Sequence, residues 1–185
     1  MTMNLTNHFL IAMPSLMDPN FHHTVTYICA HGEEGAMGIV INRPMELNLA
    51  EVLSQMDLRP ATDAIAQRPV FEGGPVQQDR GFILHRPTGG WASSIDVTKE
   101  LAVSTSRDIL EAIARGDGPD DMLVALGYAG WGAGQLEREM AENAWLSGPA
   151  DPNVIFTTPP EGRWRASARL LGVDLNSLSY QVGHA

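Results

Sequence analysis

No stretch restricts this chain more than Gly127-Tyr128-Ala129-Gly130-Trp131-Gly132-Ala133-Gly134-Gln135-Leu136-Glu137. Four glycines fall between Gly127 and Gly134. An apolar run, Met122 to Leu126, precedes them, and a pattern that predicts a helix to near Trp145 and Leu146 follows. Glycines at that density need a backbone reason: dihedrals closed to other residues, or a close approach to the main chain. The spacing invites a nucleotide-binding reading, but the side chains do not support it. Gly127 and Gly132 have the G-x-x-x-x-G separation of a phosphate loop, but Ala133 and Gly134 stand where lysine and a hydroxyl are needed. Gly130 and Gly132 open a G-x-G whose third position is Gln135. Glu137 and Glu139 already complement the helix dipole and would repel an anion. The segment therefore predicts a sharp strand-to-helix turn held by packing.

The remaining pattern mixes strands and helices. Phe9 to Met13 predicts a strand closed at Pro14, followed by a turn-rich segment through Asp18-Pro19-Asn20-Phe21. Thr24 to Ala30 predicts a strand with Val25, Tyr27 and Cys29 on one face. His31 to Gly35 reads as a hairpin leading to Gly38 to Asn42, an apolar run buried on both faces and ended by Arg43-Pro44. Asn48 with Glu51 predicts a helix start and Pro60 its end, with residues 61–69 irregular. Val70 and Phe71 start a strand broken at Gly73-Gly74-Pro75, and Gly81 to His85 forms another. Ser93 to Val103 reads as strand and loop. Thr105 and Asp108 predict a capped helix that Gly116 stops. Beyond a break at Ser147-Gly148-Pro149 and Asp151-Pro152, Val154 to Thr157 reads as a strand. Trp164 to Leu171 reads as a helix ended by Gly172, and the remaining residues as a tail. No repeat or linker divides the 185 residues, so one α+β domain over 1–185 is expected, without the strict alternation of a doubly wound sheet.

Composition excludes several functions. With 22 acidic against 12 basic side chains the net charge is −10, which opposes phosphate backbones and anionic lipid. The helix from Leu136 to Glu142 carries three carboxylates to one arginine and makes a poor groove reader. Direct nucleic-acid binding is therefore not expected. Cys29 is the sole cysteine, so neither an intrachain disulfide nor a cysteine zinc site is available. No signal-like or spanning run is found, and a cytoplasmic protein with no membrane role is expected. No G-x-S-x-G, H-E-x-x-H, C-x-x-C or calcium loop occurs. Histidines 22, 23 and 31 lack metal-ligand spacing, so no metal and no cofactor are expected.

Three segments together resemble a known family. They are Met13-Pro14-Ser15-Leu16-Met17-Asp18-Pro19-Asn20-Phe21 with Thr24-Val25, Gly35 through Pro44, and Gly127 through Glu137. With Gly73-Gly74-Pro75-Val76 and Arg80-Gly81-Phe82-Ile83-Leu84-His85, the chain resembles the AlgH/YqgE family across nearly its whole length. The resemblance implies a single-domain α+β fold: a bulged, coiled, mostly antiparallel β-sheet with packed helices. It also implies a regulator, tied by name to alginate synthesis and transcription, in a family with no catalytic residues to carry over.

The expected function is a non-enzymatic regulatory or binding protein acting through a protein partner or small ligand. Polar and aromatic residues beside the glycine-bounded strand ends supply the candidate surface: Asn42, Arg43, His85, Trp131, Gln135 and Glu137. The alternative is an enzyme whose site is assembled from distant residues, with His85 or Glu137 as general base.

Overall fold

In the computed structural model, which describes residues 3–178, the chain opens with β1 (His8–Ala12), β2 (Val25–Gly32), β3 (Gly35–Val40) and β4 (Pro44–Asn48). Then follow α1 (Leu49–Gln55), α2 (Asp63–Ala66), β5 (Pro69–Glu72), β6 (Val76–Arg86), β7 (Ser94–Asp96) and β8 (Ala102–Ser104). The second half holds α3 (Arg107–Arg115), β9 (Asp121–Gly132), α4 (Gln135–Ala141), β10 (Trp145–Pro149), α5 (Pro152–Phe156) and α6 (Arg163–Arg169). One sheet runs β10-β1-β2-β3-β9-β6-β8-β7, with β5 also paired to β9 and β4 to β5. Among the described residues only the β5–β9 pairing is parallel. This is the α+β, bulged and curled, mostly antiparallel sheet with packed helices that the resemblance implies.

The glycine segment is strand, which corrects the expected strand-to-helix turn. β9 continues through Gly127 to Gly132, and the turn is confined to Ala133 and Gly134. The first half of β9 pairs with β5 and β6, the second half with β3. At Gly127 the alternation of faces slips by one residue. Leu123 and Ala125 join the interior cluster of Phe9, Ile11, Val25, Tyr27, Ile39 and Leu84, while Val124 packs under α1 and α3 with Leu49, Leu53 and Ile109. Past Gly127, Tyr128 packs against the interior cluster, and Ala129 and Trp131 join an outer cluster with Leu10, Ile28, Leu136 and Trp145. A single residue in the left-handed region, φ +80°, produces the slip, as a β-bulge does. Glycine is needed there for a second reason. A Cβ on Gly127 would strike the Gly74 carbonyl oxygen, and one on Gly74, φ +155°, would overlap the Tyr128 carbonyl. Gly73-Gly74 and Gly127 let two main chains touch.

Several local expectations agree with the fold. Val25, Tyr27 and Cys29 share the interior face of β2, and Ile28 faces out. The Gly32–Gly35 hairpin forms, and Ile39, Val40 and Ile41 are buried. The Asn48 side chain accepts the Glu51 N–H at the start of α1. Gly116 closes α3 with φ +89°.

Others are corrected. Chain beyond Pro44 pairs with β5 as β4, and residues 61–69 contain α2, capped by Thr62. Gln77 to Arg80 lengthen the strand expected from Gly81. Ser106, not Thr105, precedes α3; the Thr105 hydroxyl instead meets Ser93 and Arg80. α4 stops at Ala141, and Trp145–Pro149, read as helix end and break, is an edge strand on β1. Val154–Thr157 is not a strand: Asp151 caps α5 and Pro152 sits in its first turn, where the missing N–H costs nothing. The expected tail is packed at Leu175, which joins the interior cluster; its last part, 179–185, lies outside the described residues.

Candidate functional site

Glu139 organises the region around Trp131. Its Oε1 accepts from the indole nitrogens of Trp131 at 3.1 Å and Trp145 at 3.0 Å, and its Oε2 from Gln135 Nε2 at 2.9 Å. Gln135 Oε1 accepts the Gly132 N–H at 3.0 Å, fixing the end of β9 to α4. Phe21 stacks on Trp131 and meets the edge of Trp145, with ring centroids 5.9 and 5.3 Å away. Both tryptophans are buried. Next to this knot, Glu137 Oε1 meets His31 Nε2. His31 Nδ1 accepts the Leu5 N–H at 2.9 Å, so the ring proton sits on Nε2 and both nitrogens are taken. Trp131 and His31 border an open cleft of about 620 Å³ beside the Gly32–Gly35 hairpin.

Asn42 and Arg43 clamp the turn that carries Phe21. Asn42 accepts the Val25 N–H and donates to the His23 carbonyl, each at 2.9 Å. Arg43 donates to the carbonyls of Asn20 at 2.7 Å and His22 at 3.0 Å. The His22 and His23 rings stack 3.8 Å apart, and His23 lies 4.0 Å from Trp164. Burial lowers the His23 pKa, and the neighbouring His22 and Arg165 lower it further. Among the described residues no three His, Cys, Asp or Glu side chains gather to hold a metal. No helix there is long and apolar enough to cross a membrane.

His85 lies apart from these groups. It is fully buried, with Nδ1 donating to the Pro87 carbonyl at 2.9 Å and Nε2 accepting from Ser104 Oγ at 2.6 Å. A serine–histidine pair in this tautomer could support nucleophilic chemistry, but Ser104 is also fully buried and its oxygen meets Ser94 at 3.0 Å. Burial lowers the His85 pKa, keeping the ring neutral. The pair pins β6, β8 and β7 together. Of the six candidates the structure thus brings together Trp131, Gln135 and Glu137, sets Asn42 and Arg43 beneath the turn packed on Trp131, and leaves His85 elsewhere.

A cleft of about 1040 Å³ lies between α1, β6 and the start of α3. Leu47, Val52, Met56, Leu110 and Leu126 give it an apolar floor; Glu51, Gln55, Gln77, Gln78 and Asp79 line its rim. An Arg107 to Met56 carbonyl bond of 2.7 Å ties α3 to the end of α1 beside it. Sequence reasoning missed this cleft, along with Glu139 and His31. The run Gln77-Gln78-Asp79-Arg80 between apolar residues was the available signal.

Comparison with known proteins fits this architecture. The AlgH-like family matches residues 9–176. A UPF0301 protein of Thioalkalivibrio sulfidiphilus is 62% identical over 182 residues, covering 98% of this chain and 97% of that one. The solution structure of the AlgH protein from Pseudomonas aeruginosa is 53% identical, with a TM-score of 0.82 over 100% of this chain and 98% of that one. A Corynebacterium diphtheriae protein, 20% identical, shares the fold with a TM-score of 0.75 over 96% of this chain and 93% of its own. The match over residues 9–176, the 62% identical relative and the shared fold make this chain a member of the AlgH/YqgE, or AlgH-like, family.

Proposed function

We propose that this is a cytosolic, non-enzymatic regulatory protein that works by binding a partner protein in the cleft between α1, β6 and α3. One contrast carries the reading. The polar groups of Asn42, Arg43, His85 and Gln135 are spent on the protein's own backbone and side chains, whereas the cleft sets exposed amides and carboxylates over an apolar floor. Such a surface is suited to recognition. The buried His85–Ser104 pair favours a structural role over general-base chemistry, and the lone buried Cys29 suits a reducing compartment. A net charge of −10 favours a protein route for any effect on transcription.

Site-specific photo-crosslinking in cells tests the assignment. A crosslinker at Gln78 should trap a discrete partner that the double variant V52E/M56E no longer yields. The second reading places the partner on the open cleft beside Trp131, Gln135 and Glu137, because that cleft is bounded by two of the sequence segments that carry the family resemblance. An adduct from Glu137 and none from Gln78 would select it and remove the first. A gel shift at low salt that bound DNA tightly would sink the protein route.

A further inference from the structure

The register of β6 against β9 passes from Val76–Tyr128 directly to Gly81–Leu126. Gln77, Gln78, Asp79 and Arg80 therefore stand opposite Gly127 alone, and none has a register partner on β9. All four are exposed, and Gln77 has φ +50°. This bulge is one wall of the large cleft, facing the floor made by Val52, Met56 and Leu126. β8 pairs with β6 only at Ile83, Leu84 and His85, so among the described residues the edge of Gln77–Arg80 that faces away from β9 has no neighbouring strand and stands beside an apolar trough.

The charges of the rim are unbalanced. Glu51 and Asp79 belong to no ion pair among the described residues. The one cation of the wall, Arg80, is drawn away onto Thr105 Oγ1 at 3.1 Å and lies 5.9 Å from the Phe82 ring centroid. The −10 charge of the whole chain adds a field that attracts cations.

We infer that the cleft takes an extended segment of a partner protein with alternating apolar and cationic side chains, which pairs its main chain with the Gln77–Arg80 bulge. The inference rests on the cleft being the working site. An added strand exchanges water for protein at the bulge, as in β-augmentation, and its alternation sends apolar side chains to Val52 and Met56 while ammonium groups reach Glu51 and Asp79. A helix would satisfy its own main chain and leave the bulge unpaired.

The full-length protein tests this with synthetic peptides about eight residues long, the span of an ordinary strand. One alternates lysine and valine, a second replaces lysine by glutamate, and two more are the lysine peptide N-methylated at alternate nitrogens, one in each phase. Amide shifts in ¹H–¹⁵N spectra give site and affinity together. The lysine peptide should perturb Gln77 to Phe82, with the glutamate peptide and one N-methylated phase each at least about tenfold weaker. E51Q/D79N should weaken the lysine peptide by about tenfold. Equal binding of the glutamate peptide, equal binding of both methylated copies, or shifts confined to another face would overturn the inference. If the peptides fail while V52E/M56E still abolishes the crosslink from Gln78, the occupant is wrong and the cleft stands. If that crosslink also survives, the cleft assignment falls.

Discussion

The knot around Glu139 and the cleft beside α1 are built from similar materials with opposite results. Each combines carboxylates, glutamine amides and large apolar side chains. In the knot, one carboxylate serves two indoles and an amide, and the amide in turn holds the end of β9. In the cleft, Glu51, Gln55, Gln78 and Asp79 remain exposed above Val52 and Met56. The difference lies in whether a second element covers them. α4 and β10 close over Trp131, whereas α1 and the β6 bulge leave a gap. Conspicuous residues therefore mark where the chain must close, and a less conspicuous polar run marks where it stays open.

That comparison can be broken by substitution. The largest effect is expected where main chains touch. Gly74→Ala must displace the Tyr128 carbonyl and should cost about 4 kcal/mol or more, or leave no folded protein to recover, in urea titration. Glu139→Ala leaves two indole donors and an amide without their acceptor and should cost about 2–4 kcal/mol, with Glu139→Gln intermediate. Red-shifted tryptophan emission would accompany the loss. A Glu139→Ala protein as stable as wild type would mean that the knot is decoration.

The third effect depends on pH. The folded His85 pKa lies below the ordinary value of 6.5, so the unfolded chain binds more protons in the window beneath 6.5. Its contribution is full above pH 6.5 and is lost as pH falls through that window. Urea midpoints should drop on acidification, less steeply for His85→Gln; an identical slope would show that the buried ring is not the cause. The smallest stability change is expected in the cleft. V52E/M56E should alter unfolding by no more than about 1 kcal/mol while removing the partner. A large loss there would make the cleft wall part of the scaffold.

Legibility in the sequence followed the range of the forces involved. The Gly116 stop of α3, the Asn48 cap and the two faces of β2 depend on neighbours a few residues away, and each was readable. Pro152 misled in the other direction: with Asp151 it read as a break ahead of a strand at Val154 to Thr157, whereas the pair starts α5. The end of α4 was hidden because Trp145 fits a helical stripe as well as an edge strand facing Glu139. The glycine run was recognised as a backbone demand, but its origin lies in Gly73 and Gly74, far away in the chain. Of the candidate residues, Trp131 and Gln135 share the Glu139 carboxylate while Glu137 turns to His31, partners that no local pattern names. The cleft was not legible, because it arises from a register shift between β6 and β9 that no local pattern encodes.

The slip of faces at Gly127 bears on how the molecule opens. β9 supplies side chains to the interior cluster and to both outer clusters, so it belongs to both halves of the sheet. Deleting one residue there would turn Trp131 inward and Tyr128 outward, scrambling one half while sparing the other's sequence. In the intact chain neither half can release β9 without unravelling its counterpart. Slow amide hydrogens in β2 and in β6 should therefore exchange with one shared free energy of opening, although their strands never pair.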